Sequence, residues 1–280
     1  MLPNFLVIGA MKAGTTSLWQ YLRGHPDVFM PEQKEIQFFS EHEWWRGLDW
    51  YEQLFDPAGT ASAIGEASPS YTRYPHSAEA ADRIAKVLPD AKLLYVIRQP
   101  VDRIVSQYRH ETSLGTEDRA IDDAVLDESR YVSTSRYAMQ AERYLENFRR
   151  DQLMVVTSEA LQRERAATMA KVFRFLGVDD QVSPRSLDAQ YGRAEQRRRA
   201  PGPVARFKRT RSFRSLRAVV PSGVRQAAWR AVSHPVSDSR AAVEMTEHTR
   251  AELLQRLRPD LTRLVTIIGD GFDAWGLLDA

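Results

Sequence analysis

The feature that most constrains this chain lies at its start. Phe5-Leu6-Val7-Ile8 is a short run of β-prone apolar residues ending in Gly9, and Ser17 to Arg23 has helical composition with Leu18 and Leu22 four apart. The segment therefore reads as strand, loop and helix. The loop between them, Gly9-Ala10-Met11-Lys12-Ala13-Gly14-Thr15-Thr16-Ser17, has two glycines that let a backbone wrap an anion. The helix that follows supplies free N–H groups and the positive end of a dipole. The spacing approaches the Walker A pattern, but Thr15 follows the second glycine and Lys12 stands two residues before it. A magnesium-dependent triphosphatase also needs an acid at the end of a neighbouring strand, whereas the strongest strand here, Lys92 to Ile97, ends in Arg98. Two basic groups without a metal-binding acid describe a site for a nucleotide with anions at both ends and no metal ion.

The rest of the first 190 residues alternates in the same way. A second strand is expected at Ala61 to Ala67, a helix from about Ser77 to Leu88, and a third strand at Lys92 to Ile97 with Pro100 at the first position of the next helix. Ser135 to Arg150 is expected to be helical, Gln152 to Thr157 a fourth strand, and Leu161 to Leu176 a helix stopped by Gly177. Such alternation implies an α/β fold, a parallel sheet of four to five strands flanked by helices. Thr249 to Arg258 and Leu261 to Ile268 read as two amphipathic C-terminal helices.

Charge divides the chain unevenly. Arg193 to Arg230 holds 12 Lys and Arg against the single acid Glu195, leaving 27 basic and 36 acidic residues elsewhere. A chain of 280 residues with 43% hydrophobic and 27% charged residues can bury one elaborated core. The expected organisation is one domain over 1–280, with an α/β core over 1–190, an Arg-rich lid or membrane arm over 191–240, and C-terminal helices over 241–280. Val204, Phe207, Phe213, Leu216 and Val220 in the tract form an imperfect apolar stripe among basic residues, which suits peripheral contact with an anionic membrane. No apolar run reaches the length of a membrane span, the first residues lack a basic leader pattern, and cysteine is absent. A cytoplasmic location, with membrane association through the tract, is the expectation; a thiolate metal site and a cysteine nucleophile are excluded.

Two motifs together resemble the sulfotransferases that use 3′-phosphoadenosine 5′-phosphosulfate (PAPS). Lys12-Ala13-Gly14-Thr15-Thr16-Ser17 is similar to their 5′-phosphosulfate loop. Leu93 to Pro100, followed by Arg103 and Ser106-Gln107-Tyr108, is similar to their 3′-phosphate motif, in which the strand-end arginine and the serine hold that phosphate. Lys34-Glu35-Ile36-Gln37-Phe38-Phe39, His42, Gly47 to Tyr51 and Ser135-Arg136-Tyr137 resemble the heparan sulfate N- and 3-O-sulfotransferase branch and its bacterial relatives. That branch carries a lysine where this chain has Ala67. Gly192-Arg193 resembles the family's late cofactor loop.

The resemblance implies PAPS as sulfuryl donor, 3′,5′-adenosine bisphosphate as product and no metal. Lys12, Ala13, Gly14, Thr15, Thr16, Ser17, Arg98, Ser106, Gly192 and Arg193 would hold the nucleotide. Lys12 would neutralise the leaving phosphate and Glu35 would serve as base, with His110 the rival for that role. The acceptor would be a carbohydrate-bearing, lipid-linked or small-molecule alcohol or amine, and no nucleic acid is expected as partner. Two alternatives remain open: a nucleotide- or polyanion-binding module without transferase activity, and a metal-dependent P-loop kinase. The aromatic cluster Trp44, Trp45, Trp50, Tyr51 and Phe55 divides into Trp50 and Tyr51, expected in the core, and an adjacent pair, Trp44 and Trp45, of which one is expected at the acceptor mouth.

Overall fold

The computed structural model describes residues 1–40, 43–188, 244–269 and 271–279, with the secondary structure alone of 198–199 and 234–235. In chain order the elements are β1 (Phe5–Gly9), α1 (Thr15–Arg23), β2 (Val28–Phe29), α2 (Leu48–Gln53), β3 (Ala63–Ala67), α3 (Ala80–Val87), β4 (Lys92–Ile97) and α4 (Pro100–Ser113). They continue with α5 (Ile121–Ala124), α6 (Tyr137–Leu145), β5 (Leu153–Thr157), α7 (Ser158–Arg163), α8 (Arg165–Leu176) and α9 (Glu247–Ile268). Five strands form one parallel sheet in the order β2-β3-β1-β4-β5. Strands β1 and β3 are buried along their whole length, as a sheet covered on both faces requires. The order places β1 at the centre, so the loop after it opens at the middle of the sheet's C-terminal edge, where open α/β sheets bind ligands.

Four of the five strands fall where the sequence places them. Strand β2 is only two residues long and its apolar pair carries no periodic signal; pairing with β3 creates it. The helix expected over Leu161 to Leu176 is broken at Glu164, which lies outside helical geometry (φ −124°, ψ 44°). Helix α7 then starts directly after β5, capped by the Thr157 hydroxyl, which accepts the Ala160 N–H. Gly177 ends α8 in the left-handed conformation (φ 86°), a geometry costly for any residue with a Cβ.

The two expected C-terminal helices are one. α9 runs through Pro259, whose missing N–H costs one helical bond. Burial of Leu253, Leu257, Leu261 and Leu264 along a single stripe outweighs that loss. The carboxylate of Asp260 accepts the N–H groups of Ala138 and Met139, both at 2.9 Å, and so caps the first turn of α6 from a distant helix. Arg198–Arg199 and His234–Pro235 pair antiparallel. The remainder of the basic tract, including its expected helix and membrane arm, lies outside the described residues.

Candidate active site

Gly9 ends β1 because no side chain fits there: a Cβ would stand 1.8 Å from Thr72 Oγ1. The chain then turns through Lys12 (φ 69°) and Gly14 (φ 103°), both left-handed, before α1 begins at Thr15. No side chain caps α1; within its first turn the Ser17 amide donates back to the Gly14 carbonyl at 3.0 Å. Among non-glycine residues the left-handed conformation is uncommon and marks places where surroundings dictate the backbone.

Arg98 leaves the end of β4, and α4 starts two residues later with Gln99 as cap, its side-chain oxygen accepting the Asp102 N–H at 2.7 Å. Ser106 and His110 are four residues apart on one face of α4. One turn before Ser106, Arg103 turns into the core. Its guanidinium is fully buried and donates to Ser135 Oγ (2.5 Å), the Gln107 side-chain oxygen (2.8 Å) and the Tyr131 carbonyl (2.6 Å), with a longer contact to the Met11 carbonyl at 3.5 Å. Burial pulls its pKa down to about 10, so it remains a cation near neutrality. Arg103 thus ties the glycine loop to α4.

These elements enclose a cavity of about 590 Å³ at the C-terminal edge of the sheet. Lys12, Gly14, Thr15, Thr16, Ser17, Glu35, Arg98, Ser106 and His110 all line it, although they come from four separated stretches of chain. Ala13 does not: its side chain is buried in the core, leaving only its main chain to face a ligand. Gly192 and Arg193, like His42, lie outside the described residues. Arg98 is one-third exposed and stands 3.8 Å from Asp102, a loose pairing that leaves the guanidinium able to meet an anion. No group of three or more acidic or histidine side chains arranged to hold a metal ion occurs among the described residues.

Glu35 sits at the rim as expected, half exposed and left-handed (φ 62°), with Oε1 accepting from Lys34 Nζ at 2.7 Å. Its N–H donates to the Ala67 carbonyl at 3.0 Å, and Ala67 itself is buried. The aromatic cluster lies apart from the cavity. Tyr51 and Phe55 are core residues, Trp44 is half-buried with its ring 5.1 Å from that of Phe38, and Trp45 is exposed. No aromatic of the cluster lines the cavity, so the expected acceptor-mouth tryptophan is not found there.

Tyr21, Ser158, Gln162 and Arg165 are among the wall residues that the sequence does not single out. Gln162 donates to Ser158 Oγ at 3.1 Å, and the Arg165 guanidinium lies 5.3 Å from the Tyr21 ring centre. The rule that ligands collect beyond the C-terminal ends of parallel strands points to Ser158, the residue directly after β5. Glu66 is an acid inside the apolar strand Ala63-Ile64-Gly65-Glu66-Ala67, a signal that the sequence carries in plain view. It pairs in register with Leu6, is buried, and lies outside the cavity wall.

Residues 2–196 match the sulfotransferase domain family. Mouse bifunctional heparan sulfate N-deacetylase/N-sulfotransferase 4 is 33% identical over 198 residues, covering 63% of this chain and 22% of the relative. The chain therefore spans about a fifth of the length of such relatives. The membrane-associated sulfotransferase kil1 of Dictyostelium discoideum is 41% identical over 110 residues, 38% of this chain and 22% of its own. Among solved structures, the sulfotransferase from Alicyclobacillus acidocaldarius superposes with a TM-score of 0.71 at 27% identity, covering 99% of both chains. A mouse sulfotransferase, SULT7A1, complexed with PAP shares the fold alone, with a TM-score of 0.52 at 12% identity over 99% of this chain and 88% of that one. With its glycine loop, strand-end arginine and parallel sheet in the matching region, the chain belongs to the sulfotransferase domain family.

Proposed function

We propose that this protein transfers a sulfuryl group from PAPS to a hydroxyl or amine of a carbohydrate-bearing, lipid-linked or small-molecule acceptor. The observation that carries this reading is the gathering of Lys12, Arg98, Ser106, Glu35 and His110 around one cavity. Its residues suit a nucleotide with anions at both ends: the glycine loop and the first amides of α1 at one side, Arg98 and Ser106 at the other. PAPS supplies, when bound, a sulfuryl group on a phosphate that leaves readily.

The side chains divide the work. Lys12 neutralises charge that grows on the departing phosphate oxygen, while loop amides with Thr15, Thr16 and Ser17 hold the remaining oxygens. Arg98 and Ser106 bind the 3′-phosphate. Glu35 accepts the proton of the acceptor O–H or N–H as that atom bonds to sulfur, a contribution of ~10²–10⁴-fold for a positioned base. His110, across the cavity on α4, orients the acceptor. Ser158, Gln162 and Arg165 fit the nucleoside side of the cavity. Gly192 and Arg193 are proposed to complete the nucleotide site, and the tract over 191–240 to contact an anionic membrane, an idea supported by its charge and by the membrane-associated relative. Metal independence is part of the same proposal. Incubation with labelled PAPS and a panel of glycans, lipids and phenols tests it: label should move to at least one acceptor class without added magnesium, and a strict magnesium requirement overturns it.

A further inference from the structure

Glu66 is a buried acid to which sulfuryl transfer gives no direct task. Its Oε1 accepts hydrogen bonds from the hydroxyls of Tyr71 (2.6 Å) and Tyr51 (3.4 Å), and its Oε2 accepts from Ser68 Oγ (2.6 Å). Lys34 and Tyr144 are the remaining titratable groups that act on it or feel its charge.

Two of those hydroxyls also receive main-chain amides from the segment that carries Glu35. The Gln37 N–H donates to Ser68 Oγ at 2.9 Å, and the Phe39 N–H donates to the Tyr71 hydroxyl oxygen at 3.3 Å. With the Glu35 N–H on the Ala67 carbonyl, amides of alternate residues 35, 37 and 39 are pinned to the last residue of β3 and the turn after it. Glu35 and Gln37 are both left-handed, at φ 62° and 58°, a conformation that persists only where neighbours over-determine it.

Polarity runs one way along these relays. Each hydroxyl has one proton, and an ionised Glu66 accepts it, which leaves the hydroxyl oxygen free to accept the amide. A protonated Glu66 carries a proton on one oxygen, so a hydroxyl loses its acceptor and the relay through it loosens.

We propose that Glu66 is a positioning residue: through Ser68 and Tyr71 its carboxylate fixes the backbone of residues 35–39 and thereby aims the Glu35 carboxyl into the cavity. The inference rests on Glu35 acting as the base. Burial raises the pKa of Glu66 to about 7, which puts its ionisation inside the working range of an enzyme near neutrality.

The test compares the wild type with Glu66→Gln and Ser68→Ala, measuring turnover and KM from pH 5.5 to 9, affinity for 3′,5′-adenosine bisphosphate, and hydrogen exchange of the Gln37 and Phe39 amides. Nucleotide affinity should stay within about twofold, because neither residue lines the cavity. Turnover of Glu66→Gln should fall ~10–10²-fold, the scale of a misplacement near 1 Å. The wild type should gain turnover as pH rises through about 7, and Glu66→Gln should lack that step. The Gln37 amide should exchange faster in both variants, and the Phe39 amide in Glu66→Gln. Wild-type turnover with an unchanged pH step in Glu66→Gln overturns the assignment. Should that variant fail to fold, Ser68→Ala decides alone: reduced turnover with intact nucleotide binding supports the relay, and normal turnover rejects it. If the wild type transfers no sulfuryl group, the functional reading fails separately, and amide exchange still judges the positioning: unchanged protection of Gln37 and Phe39 rejects it.

Discussion

Lys34 Nζ lies 2.7 Å from Oε1 of Glu35, and the lysine side chain is largely sheltered while the glutamate is half exposed. The pair joins neighbouring residues at the cavity rim, so it needs no long-range packing to form. Lys34 also acts on Glu66, where its charge favours the ionised carboxylate. One cation therefore pairs with Glu35 and, through its charge, also favours the ionised form of Glu66.

Lys34→Met should leave nucleotide binding intact and reduce turnover at pH 8 by no more than about fivefold, since a half-exposed pair contributes ~0.2–1 kcal/mol. It should also move the acid limb of the turnover profile to higher pH, because Glu66 loses a favourable cation. Steady-state kinetics across pH checks both; a loss near 10³-fold would mean that Lys34 itself meets the transferring group.

The protein should bind 3′,5′-adenosine bisphosphate without magnesium and bind 5′-adenosine monophosphate roughly tenfold to a hundredfold less tightly, the equivalent of ~1.5–3 kcal/mol for a charge-assisted contact. Arg98→Ala should remove most of that preference. Calorimetry giving equal affinities for the two nucleotides would contradict the assignment of Arg98 and Ser106.

Turnover and binding should separate the roles around the cavity. Lys12→Ala should lower both turnover and affinity for the phosphosulfate end, whereas Glu35→Gln should keep nucleotide affinity and lose ~10²–10⁴-fold in turnover. Single-turnover measurements with His110→Ala provide the control: if that variant loses turnover and Glu35→Gln does not, the base is His110.

Glu66 should make the fold more stable in acid than at neutrality. Its pKa rises from 4.5 to about 7 on folding, so the native state binds the proton more tightly than the unfolded chain. The favourable contribution is complete below pH 4.5 and is lost as pH rises to about 7, a loss of order 3 kcal/mol from this group alone. Urea denaturation of the wild type and Glu66→Gln at pH 5 and pH 8 checks it: the difference between the two proteins should change with pH in the direction that favours the variant at pH 8.

Asp260→Ala should destabilise the protein by ~1–3 kcal/mol, because the Ala138 amide, which is buried, and the part-buried Met139 amide lose their acceptor. Asp260→Asn keeps one acceptor oxygen and should cost less. The midpoint of chemical denaturation distinguishes them, and equal midpoints for Asp260→Ala and the wild type would show that α6 finds another cap.

What was legible in the sequence was local. Strand β1, the glycine loop and α1 are contiguous, so their order and the out-of-place Lys12 can be read without a partner. Ser106 and His110 are four residues apart in one helix, which places them on one face before any tertiary contact is known, and Arg98 directly follows the strong strand β4. Tertiary structure alone decided what depends on long-range pairing: the strand order that centres β1, the two-residue β2, the passage of α9 through Pro259, and the meeting of Glu35 with Arg98 across the cavity. The Glu66 relay belongs with these. A buried carboxylate is tolerable only when several donors converge on it, and Tyr51, Ser68, Tyr71 and the amides of residues 37 and 39 come together only after β3, α2 and the Glu35 segment have packed.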